Sequence, residues 1–194
     1  MRALVFVFSL GIFLSLEFTL LAVEQAATPG PDFRVSGAVP DTKTGKPPPE
    51  IAVPAPSDAT RLAAGVAVQP GRARLGEEVT VYVKVRLAPG FHIYGLDDGG
   101  NSNNVPTSIS VALSQVLESG SAWRGPKPKA QDDGSRILTG DVLFERRFLV
   151  RAQARPGRYV VPVKVSLQVC NEAACWPPET IALEAGLEVV DSRP

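Results

Sequence analysis

The chain has 194 residues and carries 20 basic and 20 acidic side chains, so it is formally neutral, and it holds one histidine and two cysteines. No basic run and no interleaving of aromatic with basic residues gives it a positive footprint, which sets nucleic-acid binding aside. His92 and two cysteines do not supply the four ligands of a zinc site locally, which makes metal the weakest reading, and no cofactor is expected.

In chain order, Met1 to Leu16 places one basic residue before a continuous apolar run, the pattern of a secretory signal. Glu17 interrupts the run, which resumes from Phe18 to Val23, so an uncleaved N-terminal anchor is the competing reading. Residues 1–26 are taken as the signal, with cleavage expected near Ala22 to Ala27, and no cysteine follows to carry a lipid. Residues 27–60, rich in proline and alanine, are expected to form a disordered, semi-stiff tether, because such composition buries too little apolar surface to offset chain entropy. A globular domain is expected over 61–190, followed by a short tail, 191–194.

The domain reads as strands. Val79, Val81, Val83, Val85 and Leu87 alternate with Thr80, Tyr82, Lys84 and Arg86, one face buried and one wet. Leu62 to Val68, Thr107 to Leu113, Val142 to Ala152, Tyr159 to Val169 and Ile181 to Val189 read likewise, separated by turn signals such as Gly76, Pro89-Gly90, Asp98-Gly99-Gly100, Asp133-Gly134 and Pro156-Gly157. No helical period is sustained. The pattern predicts an all-β fold, an antiparallel sandwich of immunoglobulin-like type.

Both cysteines fall in Val169-Cys170-Asn171-Glu172-Ala173-Ala174-Cys175-Trp176-Pro177-Pro178-Glu179-Thr180. Extended, Cys170 and Cys175 would stand about 16 Å apart, far beyond the Cα separation of a disulfide. They can bond only if Asn171 to Ala174 reverse the chain as a four-residue loop between antiparallel strands. So small a ring constrains the unfolded chain less than one joining distant strands, and short exposed loops are where reducible disulfides occur. A structural bridge, a redox-active pair and, least supported, a metal site all stay open on these residues alone. Alternation from Val161 to Val169 places Cys170 with Lys164, Ser166 and Gln168 on the polar face, where partners could reach it.

Gly90-Phe91-His92-Ile93-Tyr94, then Val105-Pro106-Thr107, and above all the paired cysteines followed by Trp176-Pro177-Pro178-Glu179-Thr180 resemble the N-terminal periplasmic domain of the bacterial thiol-disulfide reductase DsbD. The resemblance covers roughly residues 61–190. It implies an immunoglobulin-like sandwich that relays electrons, without a cofactor, to and from thioredoxin-fold periplasmic proteins. It makes Cys170 and Cys175 the redox couple, with Cys175 forming the bond to the partner and Cys170 resolving it. It also implies a separate membrane electron transporter as donor, since the chain carries neither a multi-helix membrane module nor a Cys-x-x-Cys domain.

The cysteine spacing is one residue shorter than in the best-known member. The family's shielding cap maps near Ile137-Leu138-Thr139-Gly140, where no aromatic stands; Leu138 is then the expected cap, with Thr139 beside it, and shielding is weaker. Glu172 inside the loop is expected to oppose thiolate formation nearby, unless it is a plain solvated carboxylate. Trp176, with Pro177, offers a docking surface, or else Trp176 covers the disulfide or plugs the core. His92, beside Phe91 and Tyr94, reads as strand-end packing, and Asp97-Asp98 and Asp132-Asp133 as turn residues. The competing function is a non-enzymatic extracytoplasmic scaffold whose disulfide is structural.

Overall fold

The computed structural model describes residues 47–97, 104–112 and 115–191. The expected signal, most of the expected tether and the Asp98-Gly99-Gly100 turn lie outside the described residues. Twelve strands are present among them and no helix: β1 (Leu62–Gln69), β2 (Arg72–Arg74), β3 (Glu78–Leu87), β4 (His92–Tyr94), β5 (Ser108–Val111), β6 (Leu117–Ser119), β7 (Lys129–Ala130), β8 (Arg136–Thr139), β9 (Asp141–Val150), β10 (Gly157–Leu167), β11 (Val169–Cys170) and β12 (Glu179–Val190). No helix of the described residues is long and apolar enough to cross a membrane.

The strands form three sheets, ordered β1-β3-β9-β6, β2-β12-β10-β5 and β11-β4-β8-β7. The first two make the immunoglobulin-like sandwich. Val79, Val81, Val83 and Val85 of β3 and Phe144 and Phe148 of β9 share one core with Val161, Val163, Val165 and Leu167 of β10 and Leu187 and Val189 of β12. Period-two alternation is what delivers these side chains to one side of each sheet. Glycine supplies the positive φ that tight turns require at Gly76, Gly90, Gly134 and Gly140. All ladders are antiparallel except that between β2 and β12, which is parallel, a pairing that the expectation of a purely antiparallel sandwich did not include.

Composition misplaced one boundary. Ile51 and Val53, assigned to the tether, are buried against Tyr82, on the face of β3 expected to be wet. A Cβ on Gly65 would come within 2.8 Å of Ile51 and 2.9 Å of Val53, so this close approach depends on glycine. Arg86 fixes the segment from below, donating from Nη1 to the Val53 carbonyl at 2.9 Å while its Nε and Nη2 hold Asp141 at 2.8 and 2.9 Å. Two apolar residues at strand spacing suffice to dock an extended segment, which average composition over thirty residues conceals.

Candidate functional site

The third sheet carries Cys170 and leads into the hairpin that holds Cys175. The chain leaves β10 at Leu167, passes Gln168 and re-enters pairing as β11, against β4 rather than β5 or β12. Val169 faces Ile93, and Cys170 faces His92. The chain then reverses: Asn171 N donates to the Ala174 carbonyl at 2.9 Å, and the Asn171 side-chain oxygen accepts from Ala173 N and Ala174 N, both at 2.9 Å. Asparagine is suited to this role because its carboxamide mimics a backbone acceptor two residues on. Trp176 N donates to the Val169 carbonyl at 2.9 Å. Between these hydrogen bonds Cys170 and Cys175 form an antiparallel bridge, disulfide-bonded, with Cα atoms 4.0 Å apart. The four-residue hairpin expected from the spacing is the one observed.

The two sulfur-bearing residues are not equivalent. Cys170 is 0 % exposed, whereas Cys175 is exposed. The polar-face expectation for Cys170 is therefore corrected. Alternation fixes the side to which a residue points but not what covers that side, and here the change of sheet at Gln168 brings the returning hairpin and Tyr94 over it. Tyr94 Oη lies 3.5 Å from Cys170 Sγ and 3.7 Å from Cys175 Sγ. Tyr94 is itself buried, and its backbone carbonyl accepts a 2.6 Å hydrogen bond from the buried Thr107 hydroxyl. Burial, with a smaller contribution from Asp133, raises the Tyr94 pKa, so the phenol stays protonated and can donate.

His92, opposite Cys170, is half-buried, and burial lowers its pKa, so its imidazole is neutral at neutral pH. It meets the Tyr94 ring edge to face at 5.9 Å. His92, Tyr94, Ile137 and Thr139 line a groove of about 900 Å³ that also touches Asp133 and Glu172. Asp133 accepts from Ser135 N at 2.9 Å, as a turn residue should, and the Ser135 hydrogen bonds lower its pKa. Among the described residues no group of three or more His, Cys, Asp or Glu side chains is placed to hold a metal ion.

Leu138 does not cap the disulfide. It pairs with Ile93, which pairs with Val169; these three share the core face, opposite Cys170, and Leu138 is buried there. Thr139 pairs with His92 and so stands on the Cys170 face, two strands away. Glu172 is exposed in the loop, Pro177 is exposed beyond it, and Trp176 is half-buried against the core. Trp176 contacts Phe91, ring centroids 5.5 Å apart, and carries the Arg61 guanidinium 5.0 Å from its centroid. Sequence reasoning missed Tyr94, Thr107 and Arg61. Tyr94 and Thr107 stood in the motifs that carry the resemblance, but nothing in those motifs gave either a role beside the cysteines.

Residues 53–185 match the family described as thiol:disulfide interchange protein DsbD, N-terminal. The chain belongs to the DsbD N-terminal domain family. Two of the solved structures similar to it are domains of this kind. The N-terminal periplasmic domain of ScsB from Proteus mirabilis is 20% identical with a TM-score of 0.42, over 63% of this chain and 44% of that one. The reduced N-terminal domain of Neisseria meningitidis DsbD is 16% identical with a TM-score of 0.37, over 54% of this chain and 74% of that one. The chain thus spans less than half the length of the ScsB structure. Both TM-scores lie below 0.5, and the assignment rests on the family match. No curated protein matches. The family is thus one of thiol:disulfide interchange proteins, and the similar ScsB domain is a periplasmic one.

Proposed function

We propose that the chain is an exported electron relay, passing reducing equivalents between thioredoxin-fold partners through Cys170 and Cys175, with a separate membrane electron transporter upstream. The observation that carries this reading is the asymmetry of the pair: an exposed Cys175 joined to a fully buried Cys170.

A donor thiolate attacks Cys175 Sγ, the bond to Cys170 breaks, and Cys170 leaves as a thiolate. Burial disfavours that anion, and a hydrogen bond to the charged form opposes the penalty; Tyr94 Oη, 3.5 Å away, is the donor at hand. The donor's second thiolate then attacks its own sulfur in the mixed disulfide and releases Cys175. Two electrons have entered, the donor leaves as a disulfide, and both cysteines take protons. Delivery is the reverse: Cys175 attacks the acceptor disulfide and Cys170 resolves the mixed species. In this reading Glu172 at the groove rim disfavours indiscriminate thiolate chemistry, and Trp176 and Pro177 border the docking face.

The test is the reduction potential of the pair, measured in glutathione or dithiothreitol buffers with circular dichroism in parallel. A domain folded in both states, with a potential roughly between −180 and −270 mV, fits a carrier; a value below about −300 mV, or unfolding on reduction, marks a structural bridge and a scaffold. In the same series Cys170→Ser should accumulate a mixed disulfide with a thioredoxin-fold partner, and Cys175→Ser should form none.

A further inference from the structure

We propose that Arg61 is a positioning residue for the disulfide, holding Trp176, and through it the backbone of Cys175, opposite Cys170. The proposal rests on the reading of this pair as one that cycles between disulfide and dithiol.

Arg61 has φ of 58°, the left-handed region that a long side chain rarely adopts because Cβ crowds the following carbonyl. Three backbone hydrogen bonds keep it there: Arg61 N to the Ser57 carbonyl at 2.7 Å, Leu62 N to the Thr60 carbonyl at 2.6 Å, and Ala88 N to the Arg61 carbonyl at 2.8 Å. The last ties Arg61 to the turn that also fixes Phe91, whose N donates to the Ala88 carbonyl at 3.2 Å. Two turns joined by that hydrogen bond thus present Arg61 and Phe91, and both contact Trp176. The guanidinium Nε is buried without a hydrogen-bond partner, a placement that costs stability unless the indole face offsets it. A strained backbone and an orphaned donor at one residue, both serving one ring contact, point to a role at the site.

Trp176 is where such a hold acts on the cysteines. Cys170 is fixed by β11 to β4, but Cys175 is tied by its bridge to Cys170 and by its neighbour Trp176, which bonds Val169 through its N and accepts from Gln168 Nε2 at 3.1 Å. When the disulfide opens, these Trp176 contacts keep the second thiol near the first. The effective concentration of one thiol at the other sets how readily the bond re-forms.

The test equilibrates the parent domain and its Arg61→Gly variant with reduced and oxidised glutathione, in which two glutathione thiols are oxidised as Cys170–Cys175 becomes two thiols. Glycine suits φ of 58°, so the fold is spared while the cation is lost. The equilibrium constant for disulfide formation is expected to fall about tenfold in Arg61→Gly and to return to within about threefold of the parent in Arg61→Lys, since an ammonium also binds an indole face. In a Trp123→Phe background, Trp176 emission should shift to longer wavelength in Arg61→Gly. An unchanged constant with unchanged emission overturns the proposal, and so does an Arg61→Lys variant that loses as much redox equilibrium and folding stability as Arg61→Gly. Should Arg61→Gly not fold, Arg61→Asn, which also tolerates this backbone region, replaces it. Mixing the parent with a reduced thioredoxin-fold protein tests the relay separately: no exchange there ends that reading, while the glutathione ratio still decides the role of Arg61.

Discussion

The sandwich and the small third sheet use the same period-two backbone for opposite ends. In β3, five alternate residues from Val79 to Leu87 are buried by the facing sheet, and the strand runs ten residues. In the third sheet the strands are two to four residues long; one face continues the core through Val169, Ile93 and Leu138, and the other carries sulfur, imidazole and phenol. Long strands accumulate apolar burial, which is additive and insensitive to detail. Short strands leave their outer face to a few directional contacts, and each of these matters individually.

That contrast can be broken most strongly in the sandwich. Phe144 is fully buried, and a Cβ on Gly125 would meet its ring at 2.7 Å, so the ring packs directly on backbone. Phe144→Ala should cost about 3–5 kcal/mol in denaturant unfolding, with the redox equilibrium of the molecules that remain folded unchanged. A redox shift of the same size would show that the two regions are not energetically separate.

A smaller effect is expected where the site is anchored. Thr107→Val removes the donor to the Tyr94 carbonyl and leaves that oxygen unsatisfied, at about 1–3 kcal/mol. Unlike Phe144→Ala, it should also slow reduction of the disulfide by dithiothreitol or change its potential, because Tyr94 Oη is displaced from the two sulfurs. A loss of stability alone would remove Tyr94 from the account of the site.

The smallest effect concerns the docked segment. Asp141, held by Arg86 and assisted by Lys84 at 3.1 Å, has its pKa lowered to about 2, first through the Arg86 hydrogen bond. Because the folded value lies below the unfolded one, its contribution is fully present above about pH 4 and is lost as pH falls through about 2. Asp141 is about half exposed, so solvent screening keeps the contribution below about 1 kcal/mol. Stability titrated from pH 5 to 2 should decline less steeply in Asp141→Asn than in the parent; identical slopes would mean that the Arg86 pair adds nothing.

The fold was legible where burial follows directly from alternation, as in β3 and β10. It was less so where strands are short: β4 and β8 hold too few residues for a period to declare itself. At the site, the spacing of Cys170 and Cys175 meant that a bond between them required the chain to reverse, and a four-residue hairpin does this. The burial of Cys170 was not legible, because it depends on β11 leaving one sheet for another at Gln168. Leu138 failed as a cap for a related reason: proximity along an aligned motif does not reveal which face of a strand a residue occupies.

By itself the sequence determined the class of fold, the reversal at Asn171 to Ala174 and the chemistry available to two cysteines, because these follow from local periodicity, turn preference and chain geometry. The tertiary structure alone decided that Cys175 is open and Cys170 closed, that Tyr94 stands over both sulfurs, and that Arg61 and Phe91 meet at Trp176. Those contacts join residues 76, 81, 85 and 115 positions apart, and side chains so distant along the chain meet only when the sheets that carry them have packed.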